Sequence, residues 1–193
     1  WHGIDADSVL VINDDAAATL QYYAPLDNFR LNYWDGLLEI AVLNQTKFGF
    51  ILIANDLFIY RFEKGKFRLQ LKQYVDGSLM SFGMETDSPF RQADLNFDGY
   101  KDIALEIPTH GVHGNVEYTC LLFDPLKKEL IPVSGNPLEN ITRDAEKKLI
   151  RSQHFSSVCG PSRKRLFRLV ADSTVPQEEI VLFSMSAGTD LDS

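Results

Sequence analysis

The sequence predicts an all-β protein: a single domain of antiparallel strands, propeller-like or sandwich-like, with short helical turns and one acidic loop between strands. Two observations carry this. Short apolar or alternating runs recur with turn residues between them, which is the pattern of an antiparallel sheet and not of a helix bundle. The 193 residues are 45% apolar and 24% charged, the composition of a folded chain with a sizeable core and no low-complexity bias.

The strands expected in order are 8–13, 37–43, 48–54, 57–62, 67–73, 102–107, 116–124, 148–153, 165–171 and 179–185. Phe67, Leu69 and Leu71 alternate with Arg68, Gln70 and Lys72, which places apolar groups on one face and polar groups on the other. Between two such runs, Glu63-Lys64-Gly65-Lys66 reads as a hairpin turn with glycine supplying positive φ. Short helical turns are expected around Asp14–Tyr22 and Asp144–Lys148. No linker-like stretch interrupts the chain, so one domain is the economical reading. The run Asp35–Val42 echoes Asp98–Leu105, each a tight turn entering an apolar strand, and the pair suggests repeated blade-like elements.

Charge is unevenly spread. Residues 1–140 hold 11 Lys/Arg against 20 Asp/Glu, residues 141–170 hold 8 against 2, and residues 171–193 hold 0 against 5. A body of net charge −8 repels a phosphate backbone, so nucleic acid is a poor partner and a basic protein or a cation a better one. The longest apolar run, Phe48–Ala54, is far short of the roughly 20 residues a membrane-crossing helix needs. The chain starts at Trp1 with no Lys or Arg before Arg30, so no signal segment is recognised, and a leader removed upstream or a trimmed start is the expectation. Cys120 and Cys159 lack CxxC spacing and read as one disulfide in an oxidising compartment, periplasmic or extracellular, with two buried thiols as the alternative. Closing that loop of about 40 residues corresponds to roughly 4 kcal/mol. Asn44 and Asn140 head N-x-T sequons.

The most informative segment is Asp94-Leu95-Asn96-Phe97-Asp98-Gly99-Tyr100-Lys101-Asp102. Side-chain oxygens fall on Asp94, Asn96, Asp98 and Asp102, Gly99 permits the sharp bend, and the Tyr100 carbonyl can complete an oxygen cage. Calcium, Ca2+, takes roughly six to eight hard oxygen ligands in flexible geometry, and this spacing wraps a backbone around it. An EF-hand places glutamate at position 12, where this chain has Leu105 in an apolar strand, so the loop belongs between strands. Its DxNxDGxxD pattern resembles the calcium loops of integrin-type propeller repeats. Around Asp35 the earlier ligands are replaced by Leu31 and Tyr33, and no second site is expected.

The strand after the loop delivers Thr109–Tyr118, rich in glycine, donors and acceptors. Loops held by rigid strands commonly carry recognition groups, and His110, His113, Asn115, Glu117 and Tyr118 are the candidates for meeting a partner. His110 and His113 have HxxH spacing but no identifiable third zinc ligand.

The stretch Asp94–Ile103, followed by Gly114-Asn115-Val116-Glu117-Tyr118, Leu122-Phe123-Asp124-Pro125, Gly135-Asn136-Pro137 and Lys148–Ser152, resembles a bacterial periplasmic inhibitor family. Its members are immunity proteins that neutralise secreted peptidoglycan hydrolases, related in fold to the periplasmic inhibitor of invertebrate-type lysozyme. The resemblance covers roughly residues 90–170. It implies a β-rich domain with a calcium-stabilised loop, a second loop that plugs the cleft of a lysozyme-like enzyme, and no catalytic role. The related inhibitors plug with Ser-Gly-x-x-Tyr; here the corresponding stretch is Gly114–Tyr118, without the serine. A lipid anchor upstream of Trp1 is compatible with this reading. The chain carries no GxSxG, HExxH, P-loop or nucleotide-binding glycine fingerprint. A carbohydrate-binding or adhesion module, and a glycan hydrolase with scattered carboxylates, are the alternative readings.

Overall fold

The computed structural model describes residues 16–33, 36–53, 55–75, 88–108, 115–134, 138–155, 162–170 and 173–182. The chain is mostly antiparallel β-sheet, with one short helix among the described residues. Where the sequence gives one domain, contacts within the chain divide it into two compact units, Trp1–Tyr74 and Val75–Ser193.

In the first unit, helix α1 (Ala16–Tyr22) precedes five strands: β1 (Phe29–Tyr33), β2 (Gly36–Leu43), β3 (Thr46–Ile53), β4 (Asp56–Glu63) and β5 (Lys66–Tyr74). They pair in sequential order, each antiparallel to the next. Two hairpins close through two-residue loops with both residues at positive φ, Asn44-Gln45 (47° and 63°) and Lys64-Gly65 (48° and 79°). Their backbone twist matches that of the flanking strands. Leu38, Ile40, Ile51, Tyr60 and Phe67 share one sheet face with Leu20 and Ala24 beneath α1. On the other face Leu37, Phe48, Phe50, Leu52, Leu57 and Ile59 are also buried. Burial on both faces is why Phe48–Ile53 reads as an unbroken apolar run.

Helix α1 is too short to be stable alone, and side chains tie it down. The Gln21 amide donates to the Gly65 carbonyl (3.0 Å) and accepts from the Phe67 N–H (3.2 Å), while Lys47 donates to the Ala24 carbonyl (2.9 Å) and pairs with Asp27 (2.7 Å). Gly49 lets the helix approach, because a Cβ there would stand 2.6 Å from Leu20 Cδ2 and 2.7 Å from Cδ1. Leu20 is fully buried and has little room to turn. Gly49→Ala is therefore expected to lower stability by about 1–3 kcal/mol, read in a thermal melt; a neutral or stabilising alanine would show that α1 is not seated there.

The expected alternation in β5 holds only in part. The register slips between Ile59 and Tyr60, whose partners are Leu71 and Leu69, so Gln70 is the extra residue of a β-bulge. Leu69 is left 54% exposed while Phe67 is buried, and Leu71 faces the opposite side.

The second unit contains two sheets. One is built from β6 (Phe90–Ala93), β7 (Asp102–Pro108), β8 (Val116–Asp124), β9 (Glu129–Pro132) and β10 (Leu138–Glu139); the other from β11 (Thr142–Asp144), β12 (Leu149–Phe155), β13 (Ser162–Val170) and β14 (Ser173–Leu182). Leu95, Ala104, Cys120, Leu122 and Leu138 on the first side pack with Ile150, Phe167 and Leu169 of the second. This unit is thus sandwich-like, two sheets sharing one apolar layer.

The expected strand at 8–13 lies outside the described residues. The expected helical turn at 14–22 forms as α1, whereas residues 145–148 make a hairpin turn between β11 and β12, because the Asp144 carboxylate accepts the Lys147 N–H (3.0 Å) and Lys148 takes φ 53°. The Asp35 echo differs at its glycine: Asp35 lies outside the described residues, and Gly36 already pairs within β2. Gly99 instead sits in a loop, at φ 94°, before β7 begins.

Candidate functional site

The segment 94–102 forms the connection between β6 and β7. Phe97 and Gly99 adopt positive φ, 63° and 94°, and so curl the chain. The curl turns its amides on its own oxygens. The Asp98 N–H donates to Asp94 Oδ1 and Asn96 Oδ1 (both 3.1 Å), the Gly99 N–H to Asp94 Oδ2 (3.2 Å), and the Tyr100 N–H to Asp98 Oδ1 (2.8 Å). The Asn96 amide donates to Asp98 Oδ2 (2.8 Å). Asp94, Asn96 and Asp98 therefore share one small loop with their oxygens gathered inside it.

Asp102 behaves differently. It opens β7 and is completely buried. Its Oδ2 accepts the Leu95 N–H (2.7 Å) and its Oδ1 the Phe123 N–H (2.9 Å), so one carboxylate joins the loop to the end of β8. Burial raises its pKa from 3.8 to about 6, against the lowering effect of the Phe123 and Leu95 amides and with a further push from the Asp98 charge. The Phe97 side chain packs on the core of the second unit, with the Arg143 guanidinium 4.9 Å from its ring centre, and Tyr100 lies against Phe123.

As a donor set, three carboxylates, one amide oxygen and a backbone carbonyl suit a hard cation such as calcium. Among the described residues no three His, Cys, Asp or Glu side chains form a metal-holding group by themselves. Any metal here also needs Asn96 and the Tyr100 carbonyl. Asp102 already spends one lone pair of each oxygen on a backbone N–H, and a carboxylate oxygen has another to offer.

Of the expected partner residues, Asn115, Glu117 and Tyr118 lie at the other end of β7. The strand's seven residues put that end about 20 Å from the loop. His110 and His113 lie outside the described residues. Asn115 is engaged within the fold: its Nδ2 donates to the Phe155 carbonyl (2.9 Å), and its Oδ1 accepts from the Phe155 N–H (3.1 Å) and Asn140 Nδ2 (2.9 Å). Glu117 stands opposite Glu139 and Ile107 on β8. Tyr118 packs against the core, and burial and the neighbouring Glu106, to which its hydroxyl is bonded, raise its pKa. Glu106 in turn pairs with Arg91 (3.0 Å). Asn115 and Tyr118 thus fix the stems of the 109–114 connection, and a substitution at either reads out on the fold as well as on a partner.

Sequence reasoning missed three residues here. Asn140, at φ 44°, exchanges bonds with Val116 (side chain 3.1 Å, backbone 2.8 Å) and donates to the Gln153 carbonyl (2.8 Å). Ser152 Oγ donates to the Glu139 carbonyl (2.8 Å) and accepts its N–H (3.0 Å), joining β10 to β12. His154 Nδ1 lies 2.6 Å from Glu139 Oε2. Only the asparagine carried a signal, as a residue that tolerates left-handed turns.

Among the described residues no disulfide is present: Cys120 is a buried thiol that burial, and secondarily Asp102, pushes up to about 12. Its expected partner Cys159 lies outside them. No helix among the described residues is long and apolar enough to cross a membrane. No family model, curated protein or solved structure matches the chain. Fold and site together define an antiparallel β protein with an oxygen-rich acidic loop clamped between its strands.

Proposed function

We propose that this chain is a calcium-stabilised binding protein, not an enzyme, that inhibits a lysozyme-like peptidoglycan hydrolase by presenting the 109–118 connection to its active-site cleft. The observation that carries the reading is the Asp102 carboxylate, which fixes the start of β7 to both the acidic loop and β8. Asp94, Asn96, Asp98, Asp102 and the Tyr100 carbonyl hold Ca2+, which supplies positive charge among three carboxylates. Its role is structural: a rigid β7 and the pinned Asn115 set the two stems from which the recognition residues leave. The negative body steers the inhibitor toward a basic hydrolase. A periplasmic or secreted setting completes the proposal.

The purified protein is expected to raise its melting temperature on calcium addition, to leave peptidoglycan intact and to suppress a muramidase, less well in chelator. Asp98→Ala removes the calcium shift. Turnover of cell wall by the protein alone, or glycan binding without suppression, would replace this reading by a hydrolase or a carbohydrate-binding module.

A further inference from the structure

The acidic loop is not alone at its end of the second unit. Asp102 bonds the Phe123 N–H, one residue before the turn that joins β8 to β9, and Arg143, one residue before the β11–β12 turn, lies over Phe97 of the loop. Phe123 and Arg143, which precede turns 125–128 and 145–148, therefore place both turns at the loop's end of the second unit. The two turns are built alike, as Asp124-Pro125-Leu126-Lys127-Lys128 and Asp144-Ala145-Glu146-Lys147-Lys148. In each the aspartate accepts amides of the turn, Leu126 and Lys127 on Asp124 Oδ1 (2.8 and 3.1 Å) and Lys147 on Asp144 Oδ1 (3.0 Å), and the last lysine takes positive φ, 56° and 53°. The same device thus delivers two Lys-Lys pairs to one end of the second unit.

One of these turns also carries a large apolar side chain with almost nothing against it. Leu126 is 93% exposed, on a turn stiffened by Pro125, and Tyr100 on the adjoining loop is 42% exposed. An apolar tip flanked by lysines is suited to an interface with water on one side and hydrocarbon on the other. A protein partner would have to provide a recess for Leu126, whereas a bilayer accepts a lone apolar tip without matching its shape. Charge adds a condition. Residues 94–102, 124–129 and 143–148 together hold six Lys/Arg against seven Asp/Glu, net −1, and one divalent cation in the loop reverses the sign. The rest of the chain is acidic and is repelled by an anionic surface.

We propose that this end docks on an anionic phospholipid surface when the loop holds calcium, with Leu126 entering the headgroup boundary and Lys127, Lys128, Lys147 and Lys148 meeting lipid phosphates. The calcium gate rests on the metal reading above, and the hairpin tip does not. The face lies at the opposite end of β7 from Glu117 and Tyr118.

The test is cosedimentation of the whole chain with vesicles of phosphatidylcholine alone or mixed with phosphatidylglycerol, in calcium and in chelator, beside a calcium melting curve. Binding is expected to the mixed vesicles in calcium and to fall by at least about fivefold in chelator, with Leu126→Asp, and with Lys127→Glu combined with Lys128→Glu. Unchanged melting temperatures would show these turn variants to be folded. Equal binding to phosphatidylcholine, indifference to Leu126→Asp, or retention on polyglutamate beads but not on vesicles would overturn the proposal, the last in favour of an acidic protein. Calcium-independent vesicle binding by protein that does show a calcium melting shift overturns the gate alone. Absence of the shift removes the gate together with the metal reading.

Discussion

Asp102→Ala is expected to lower the stability of the calcium-free protein by about 3 kcal/mol or more at pH 5, seen as a lower denaturant midpoint. The cause is local. The carboxylate accepts the N–H groups of Leu95 and Phe123, both in buried surroundings, and alanine leaves the two without a partner. Each orphaned donor costs about 1–3 kcal/mol. Asparagine recovers only part of this, because its amide nitrogen turns a donor toward one of the two donors. The loss is smaller at pH 7.5 than at pH 5, since at the higher pH alanine also removes a buried negative charge. An alanine variant within about 1 kcal/mol of the parent at both pH values would mean that the clamp between loop and β8 contributes nothing.

The same residue makes stability depend on pH, with a sign opposite to that of an ordinary paired carboxylate. Its folded pKa is raised from 3.8 to about 6, chiefly by burial. The folded chain therefore holds this proton more tightly than the unfolded chain. The stabilisation is complete below pH 3.8 and is lost as pH rises through about 6. The full difference is about 3 kcal/mol, of which about half falls between pH 5 and 7.5. Calcium ligation requires the ionised form and reverses the penalty. The calcium-induced rise in melting temperature is accordingly expected to be large at pH 7.5 and to shrink toward pH 5. Measured with and without chelator, an equal rise at both pH values would separate Asp102 from the cation.

Much of the β architecture was legible in the chain, for identifiable reasons. Strands β2 to β5 are long apolar or alternating runs parted by short turns, Asn44-Gln45 and Lys64-Gly65, each with one residue suited to positive φ, Asn44 and Gly65, and such turns fix strand order without distant information. Strands β6, β9, β10 and β11 are two to four residues long, below the length at which alternation can be read, and tertiary pairing creates them. The bulge at Gln70 defeated a clear alternation because it depends on the partner strand.

The candidate site divides in the same way. The spacing of Asp94, Asn96, Asp98 and Asp102 is local, so the chain itself reveals it. The second task of Asp102 is not local: its acceptor role toward Phe123 spans 21 residues and is invisible in any motif. Asn115 and Tyr118 likewise carry a structural task that no local pattern shows, since their side chains are engaged with Phe155, Asn140 and Glu106.

Where β8 and β10 meet β12, side chains take over the work that a ladder of peptide groups performs within each sheet: Ser152 on both peptide groups of Glu139, His154 on its carboxylate, Asn140 on the Gln153 carbonyl and Asn115 on Phe155. A seam fastened by a few buttons yields before stitched cloth does, so amide exchange in the second unit is expected to begin along that line while each sheet stays whole.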